Sequence, residues 1–239
     1  MGCSRIVDWI DRKFYADVER AWEEQVLRRE VLSRLNNNQV ILDLGAGSGN
    51  RLMDFRGHAA QVCGLDPDPQ VLANPFLDEA KVGTGEAIPN EDASFDLVVA
   101  NNVLEHLARP QAVFREVYRV LKPGGVFVVK TPNRRHYFVG VARLTPHWFH
   151  RLYYSWRGIV EGDPFPTHYR ANSASDLRAL AEGAGFDVAS LALVEGRPVH
   201  LRWCWPAYLA GVAYERLVNA SERFAPLRAV ILARFRRCP

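Results

Sequence analysis

Apolar side chains return every four residues along 17–35, "DVERAWEEQVLRREVLSRL", where Val18, Trp22 and Val26 are separated by acids and arginines. This period predicts an amphipathic helix, one of two that open the chain. Asn36, Asn37 and Asn38 break it before a short apolar run over 39–44. There the period changes. "AQVCGLD" reads as a second strand, "FDLVVANN" as a buried strand whose polar tip faces a site, and "VFVVKT" as another. Between the last two, "RPQAVFREVYRVL" has a helical period, stopped by "KPGG" at Lys122 to Gly125. Strand and helix thus alternate from Gln39 to Thr131, the pattern of a doubly wound α/β domain with a parallel sheet.

Past Asn133 the rhythm is lost. "RRHYFVGVARLTPHWFHRLYYSWRG" holds five arginines and seven aromatic side chains, and no acid occurs between Glu116 and Glu161. "SASDLRALAEGAGF" then reads as a helix with Ser175 as its cap and Gly183 and Gly185 at its exit. "FDVASLALV" is a strand and "RAVILARF" the last one. Between them "PAYLAGVAYERLVNASER" is helical, with Glu215, Asn219, Glu222 and Arg223 on one polar face.

Bulk properties narrow the class. A chain of 239 residues is enough for one well-cored α/β domain. A net charge of +3 is too mild to imply a nucleic-acid partner. Cys3, Cys63, Cys204 and Cys238 have no paired spacing, which argues against a zinc site or a disulfide framework and fits a reducing cytoplasm. The start, "MGCSRIVDWIDRK", gains charge too early for a secretory signal, and Ile6 stands where a myristoylation motif wants Ser or Thr. "CWPAYLAGVAY" is shorter than the ~20 residues of a membrane span. A cytoplasmic protein is the expectation.

The chemistry-bearing stretch is "VILDLGAGSGN", 40–50. Glycines let backbone approach a ligand where a Cβ would intervene. A dinucleotide fingerprint spaces them G-x-G-x-x-G, so that a pyrophosphate rests on a helix N-terminus. Here they are Gly45, Gly47 and Gly49, with Asn50 at the place of that third glycine, and the Gly-Lys-Ser/Thr ending of a phosphate-cradling loop is missing. Asp43, just ahead of the turn, would repel phosphate and attract an ammonium or sulfonium cation. S-adenosylmethionine carries both.

In order and spacing, "VILDLGAGSGN", "VCGLDPDP", "GTGEAIPNEDASFDLVVANNVLEHL" and "REVYRVLKPGGVFVVKTPN" resemble successive motifs of class I S-adenosylmethionine-dependent methyltransferases, the ubiquinone-pathway O-methyltransferases in particular. The resemblance is close over 40–133, and "LRALAEGAGFDV" extends it. It implies a Rossmann-like, mostly parallel seven-stranded sheet with an antiparallel C-terminal strand and helical cap insertions. It divides one domain into N-terminal helices (1–36), a cofactor-binding core (37–133), a basic-aromatic cap (134–172) and the C-terminal half of the sheet (173–239). It further implies that Gly45, Ala46 and Gly47 pass under the cofactor, that Asp66, followed by Pro67, accepts both ribose hydroxyls, and that Gly85 and Glu86 meet the adenine. The Asn101 carbonyl would face the cofactor's ammonium. Thr84 stands where relatives carry Asp. Glu86 also reads as a solvated loop acid, and Asn101 as a strand-ending cap.

Methyl transfer to oxygen or nitrogen is helped by a base near the acceptor. His106 in "NNVLEHL" suits that role; with Glu105 it also suits a pair that orders the loop. Metal-assisted relatives carry a Glu three places before the Glu-His pair, where this chain has Asn102, so no metal is expected. Acceptor recognition points to "DPFPTHYRANS", where His168, Tyr169 and Arg170 offer imidazole, phenol and guanidinium; Arg170 reads either as a carboxylate or phosphate clamp or as a surface ion pair. The segment 134–156 reads as an acceptor pocket, a surface for anionic lipid headgroups, or a helical cap with its aromatics in the core. Methyl transfer to a small or lipid-linked acceptor, by resemblance at oxygen, is the leading function, with peripheral contact at the inner face of a membrane a further expectation. RNA or protein methylation and a non-catalytic cofactor sensor are the alternatives. No nucleic-acid module is recognisable.

Overall fold

A computed structural model describes residues 2–19, 21–144 and 166–238. Two helices, α1 (Gly2–Phe14) and α2 (Trp22–Leu32), precede β1 (Val40–Leu44) and β2 (Gln61–Asp66). β3 (Glu79–Val82), β4 (Phe95–Asn101), α3 (Pro110–Val120) and β5 (Leu121–Pro132) complete the first half. The second half holds α4 (Tyr137–Leu144), α5 (Ala174–Ala184), β6 (Phe186–Val194), α6 (Trp205–Asn219) and β7 (Val230–Arg237). The strands form one sheet in the order β3-β2-β1-β4-β5-β7-β6, parallel except for β7, which runs antiparallel to both neighbours. The expected sheet is therefore present, antiparallel C-terminal strand included.

Strand alternation sorts side chains onto two cores. Leu42, Leu44, Val98, Phe127 and Val129 meet α3 and α5 through an aromatic cluster of Phe114, Phe127, Phe186 and Phe235. Ile41, Leu97, Val99 and Val128 meet Leu27 and Val31 of α2 on the other face. A third cluster, Val7 and Ile10 with Tyr208 and Val212, seats α1 on α6.

Several expectations are corrected. The buried positions of α2 are Trp22, Leu27 and Val31; Val18 lies before the helix and is exposed. Strand and helix do not alternate through β1–β3, because the connections are single turns, Arg51–Met53 and Pro69–Ala73. β3 has no apolar alternation to announce it; its pattern is that of an exposed sheet edge. The cap of α5 is Ser173, whose Oγ accepts the Asp176 N–H at 3.2 Å, and Ser175 lies inside the helix. Glu215 is buried rather than on a solvated face: Tyr15 donates to it and Asn219 Nδ2 donates to its other oxygen, while Glu222 falls in a separate turn after α6. Of the basic-aromatic segment, 145–165 lies outside the described residues, so its readings fall mostly there.

Candidate cofactor cleft

Beyond the carboxyl ends of β1, β2 and β4 lies a cleft of about 740 Å³, a volume suited to one cofactor-sized molecule and a small partner. Its floor is the turn after β1. Gly45 takes φ +78°, and a Cβ there would lie 2.3 Å from Val103 Cγ2. Gly47 takes φ +52° and has open space where a Cβ would be. Any other residue is strained at both, and at Gly45 it also collides.

Two side chains hold this turn. Asp66, at the tip of β2, accepts the Gly47 N–H at 2.9 Å and, through its other oxygen, the Asp68 N–H at 2.8 Å. Asn74 Nδ2 donates to the carbonyls of Ala46 and Gly47. Asp66 and Pro67 line the cleft, so the carboxylate serves the turn and faces the ligand space. Sequence reasoning missed Asn74; its only signal was an Asn-Pro step.

No helix N-terminus follows the turn. The three-residue turn Arg51–Met53 begins there, capped by Asn50, whose Oδ1 accepts the Leu52 N–H. The platform on which a dinucleotide pyrophosphate rests is absent. Among the described residues the lining carries Asp66, Asp68 and Glu86 and neither Lys nor Arg. Asp43 lies beneath the wall, 5 % exposed, its carboxyl pushed up to about 7 by burial and by neighbouring Asp66. An excess of carboxylates on the wall makes a place for a positive ligand and a poor one for phosphate.

Thr84, Gly85 and Glu86 line the wall beside Leu44, Leu65 and Val113. Glu86 faces the exposed Arg109 at 3.4 Å. At the end of β4, Asn102 rather than Asn101 reaches the lining. Asn102 holds φ +55°, a rare conformation for a residue with a Cβ, and donates its N–H to the Lys130 carbonyl at 2.9 Å. The Asn101 side chain is turned inward, its Oδ1 buried and without a hydrogen bond.

His106 lines the far rim with Leu107, Ala108 and Pro166. Its Nδ1 lies 3.2 Å from the Pro166 carbonyl. An oxygen there can only accept, so this contact is a hydrogen bond when Nδ1 carries a proton. Glu105 points away from the cleft: it is buried, Thr131 Oγ1 donates to it at 3.2 Å, and burial pushes its carboxyl above the usual range. The Glu105 carbonyl accepts the N–H groups of His168 and Tyr169, and Arg170 donates to the Ala108 carbonyl at 2.6 Å. The segment 166–170 is thereby strapped to the rim, yet His168, Tyr169 and Arg170 do not line the cleft. Arg170 opens instead into a groove of about 330 Å³ between α3 and α5. With Glu105 turned inward and Asn102 in the other ligand's place, the residues do not make a cation site. Among the described residues no group of three His, Cys, Asp or Glu side chains is placed to hold a metal.

The family model described as a methyltransferase domain matches residues 14–191, most of the chain. The chain belongs to the methyltransferase domain family. Among the relatives of this methyltransferase chain, a protein of Mycolicibacterium smegmatis named "Probable S-adenosylmethionine-dependent methyltransferase" is 36% identical over 153 residues, 62% of this chain and 52% of that one. The ubiquinone biosynthesis O-methyltransferase of Azorhizobium caulinodans is 30% identical over 173 residues, 68% of this chain and 64% of its own. The chain thus spans between half and two thirds of the length of these relatives. The crystal structure of an S-adenosylmethionine-dependent methyltransferase from Mesorhizobium loti shares the fold, with a TM-score of 0.59 and 20% identity over 92% of this chain and 99% of that one. Among the described residues no helix is long and apolar enough to cross a membrane.

Proposed function

We propose that the protein transfers the methyl group of S-adenosylmethionine to an oxygen of a small or lipid-linked acceptor. The observation that carries this reading is the cleft itself: a glycine turn with no helix behind it, walled by Asp66, Asp68 and Glu86 and, among the described residues, lined by no Lys or Arg. When bound, the cofactor supplies an electrophilic methyl on a positively charged sulfur. The chain supplies the rest. Gly45 and Gly47 admit the ligand close to backbone, and Asp66 offers its remaining lone pairs to a sugar diol, each charge-assisted bond contributing about 1.5–3 kcal/mol. Glu86 and the backbone at Gly85 stand where the adenine is expected, and Glu86 replaces in part the carboxylate lost at Thr84. Asp43 adds negative charge under the cation.

The acceptor enters at the rim made by Val103, Leu107 and Pro166, an apolar frame around His106. His106 takes the acceptor's proton at this rim, where its contact with the Pro166 carbonyl orients the ring and favours transfer by alignment. An O-methyltransferase relative supports oxygen as the atom methylated. The test is a small-molecule extract incubated with protein and methyl-labelled S-adenosylmethionine. Label in a solvent-extractable product is expected. Saturable cofactor binding without any labelled product would leave a cofactor-binding protein that is not an enzyme.

A further inference from the structure

The strap that closes the cleft rim ends in a cation that belongs to a different cavity. Arg170 is fixed at one point, where its Nη1 donates to the Ala108 carbonyl at 2.6 Å. Its guanidinium lines the groove of about 330 Å³ between α3 and α5, and that groove shares no lining residue with the cleft. From α3 come Gln111 and Arg115, one helical turn apart and so on one face. From α5 come Asp176, Ala179 and Gly183, again on one face. The groove is a cavity with its own chemistry.

Its charges do not cancel. Arg115 and Gln111 are exposed, and neither side chain makes a hydrogen bond or ion pair among the described residues. Arg170 has no acid beside it either; its one partner is the Ala108 carbonyl. Asp176, the single acid of the lining, is already held by Arg134, Nη1 to Oδ2 at 2.9 Å and Nη2 to Oδ1 at 3.4 Å. Glu116, next to Arg115 in sequence, is turned to Arg119 and to the Ile88 N–H. Two guanidinium groups and a carboxamide therefore remain around one cavity. Like charges that share a site repel each other, and an anion between them removes that cost. The α5 side leaves room for one: a Cβ at Gly183 would meet nothing within 4 Å, and Ala179 stands one turn before it.

Guanidinium groups present paired N–H donors that match the oxygens of carboxylate and phosphate. Charge separates the two. A phosphomonoester carries about −1.5 to −2 at neutral pH and answers both arginines, whereas a carboxylate leaves one of them unmatched. The volume is at the low end of the range for small-molecule sites and exceeds what a bare phosphate needs. We infer that this groove binds the phosphoryl group of a small phosphomonoester, with Arg115 and Arg170 as its clamp and Gln111 as a further donor. The site stands independently of the methyl-transfer reading.

The test is NMR titration of the full chain at neutral pH and constant ionic strength, following the backbone amides of Ala179 and Gly183. The probes are glycerol 3-phosphate, inorganic phosphate and acetate. Glycerol 3-phosphate is expected to give saturable shifts with a Kd of about 1 mM or tighter, and acetate to bind at least about ten-fold more weakly. Arg115→Gln and Arg170→Gln should each weaken the ester by about ten-fold or more. Arg178→Gln removes an exposed arginine of α5 that does not line the groove and should leave binding within about two-fold. Gly183→Leu places a side chain in the groove and should abolish binding, with an unchanged unfolding midpoint showing that the fold is kept. Shifts that do not saturate, acetate binding as tightly as the ester, or an equal loss in Arg178→Gln and Arg115→Gln would overturn the proposal. Binding of inorganic phosphate with the ester excluded would overturn it as well.

Discussion

Over β1 and β2 the carboxyl edge of the sheet is finished by turns so short that the backbone makes the ligand site, whereas over β5, β7 and β6 it is finished by long insertions that deliver side chains. On the first side the chain returns from β1 to β2 with only the turn Arg51–Met53, and the cleft is framed by Gly45, Gly47 and one carboxylate, Asp66. On the second, His136, Tyr137, Glu195, His200 and Tyr214 come from three separate segments and meet only in the fold. A backbone site binds one cofactor and tolerates little change. Side chains carried on insertions can change without disturbing the sheet. This division of labour predicts that damage to the first half abolishes cofactor binding, and damage to the second spares it.

The largest effect is expected from Gly45→Val. Its Cβ would meet Val103 at 2.3 Å with φ at +78°, and S-adenosylhomocysteine affinity should fall by at least about 100-fold in calorimetry. Arg170→Ala, on the other side, should leave that affinity within about two-fold. Next comes His106→Ala: turnover should drop by about 100-fold with cofactor affinity unchanged. Full turnover would return His106 to a loop-ordering role with Glu105. Asp66→Ala removes the partner of the Gly47 and Asp68 N–H groups as well as the diol's acceptor, and should weaken binding by about one to two decades.

A smaller effect follows from Asp43. Its folded carboxyl titrates at about 7, above the ordinary 3.8, because burial and Asp66 disfavour its charge. The folded state therefore holds a proton that the unfolded state releases, and the stability of the ligand-free protein falls as pH rises from about 4 to about 7. A cationic ligand favours ionised Asp43, so affinity for S-adenosylmethionine should rise about ten-fold between pH 6 and 8. Asp43→Asn should flatten both trends, the first in thermal melts and the second in titrations. The smallest change is Ser173→Ala, which removes the cap of α5 and should cost about 1 kcal/mol in urea unfolding, while Ser175→Ala costs little.

Legibility in the sequence followed the same division. The glycine turn could be read because backbone geometry demands particular residues at particular spacings, and Asp66 was picked out by the family resemblance. The strands of the core could be read because burial on both faces demands apolar runs. β3 could not, since four residues at an exposed edge need no pattern. Nor could Glu215, whose charge reads as solvent-facing until Tyr15 and Asn219 are folded against it. Asn74 and the His136–Glu195 pair escaped for one reason: their partners lie 27 or more residues away, and only the fold brings them together. His168, Tyr169 and Arg170 had the right chemistry for an acceptor clamp, yet they are strapped to Glu105 and Ala108 and are not among the residues that line the cleft.

The most direct test of the central claim is calorimetric titration of the purified chain with S-adenosylmethionine and, separately, with NAD, at pH 8 and low salt. A crevice lined by carboxylates and lacking a helix N-terminus should give saturable binding with the sulfonium compound and none with the dinucleotide. Saturable binding of NAD, with no heat from S-adenosylmethionine, would contradict the account.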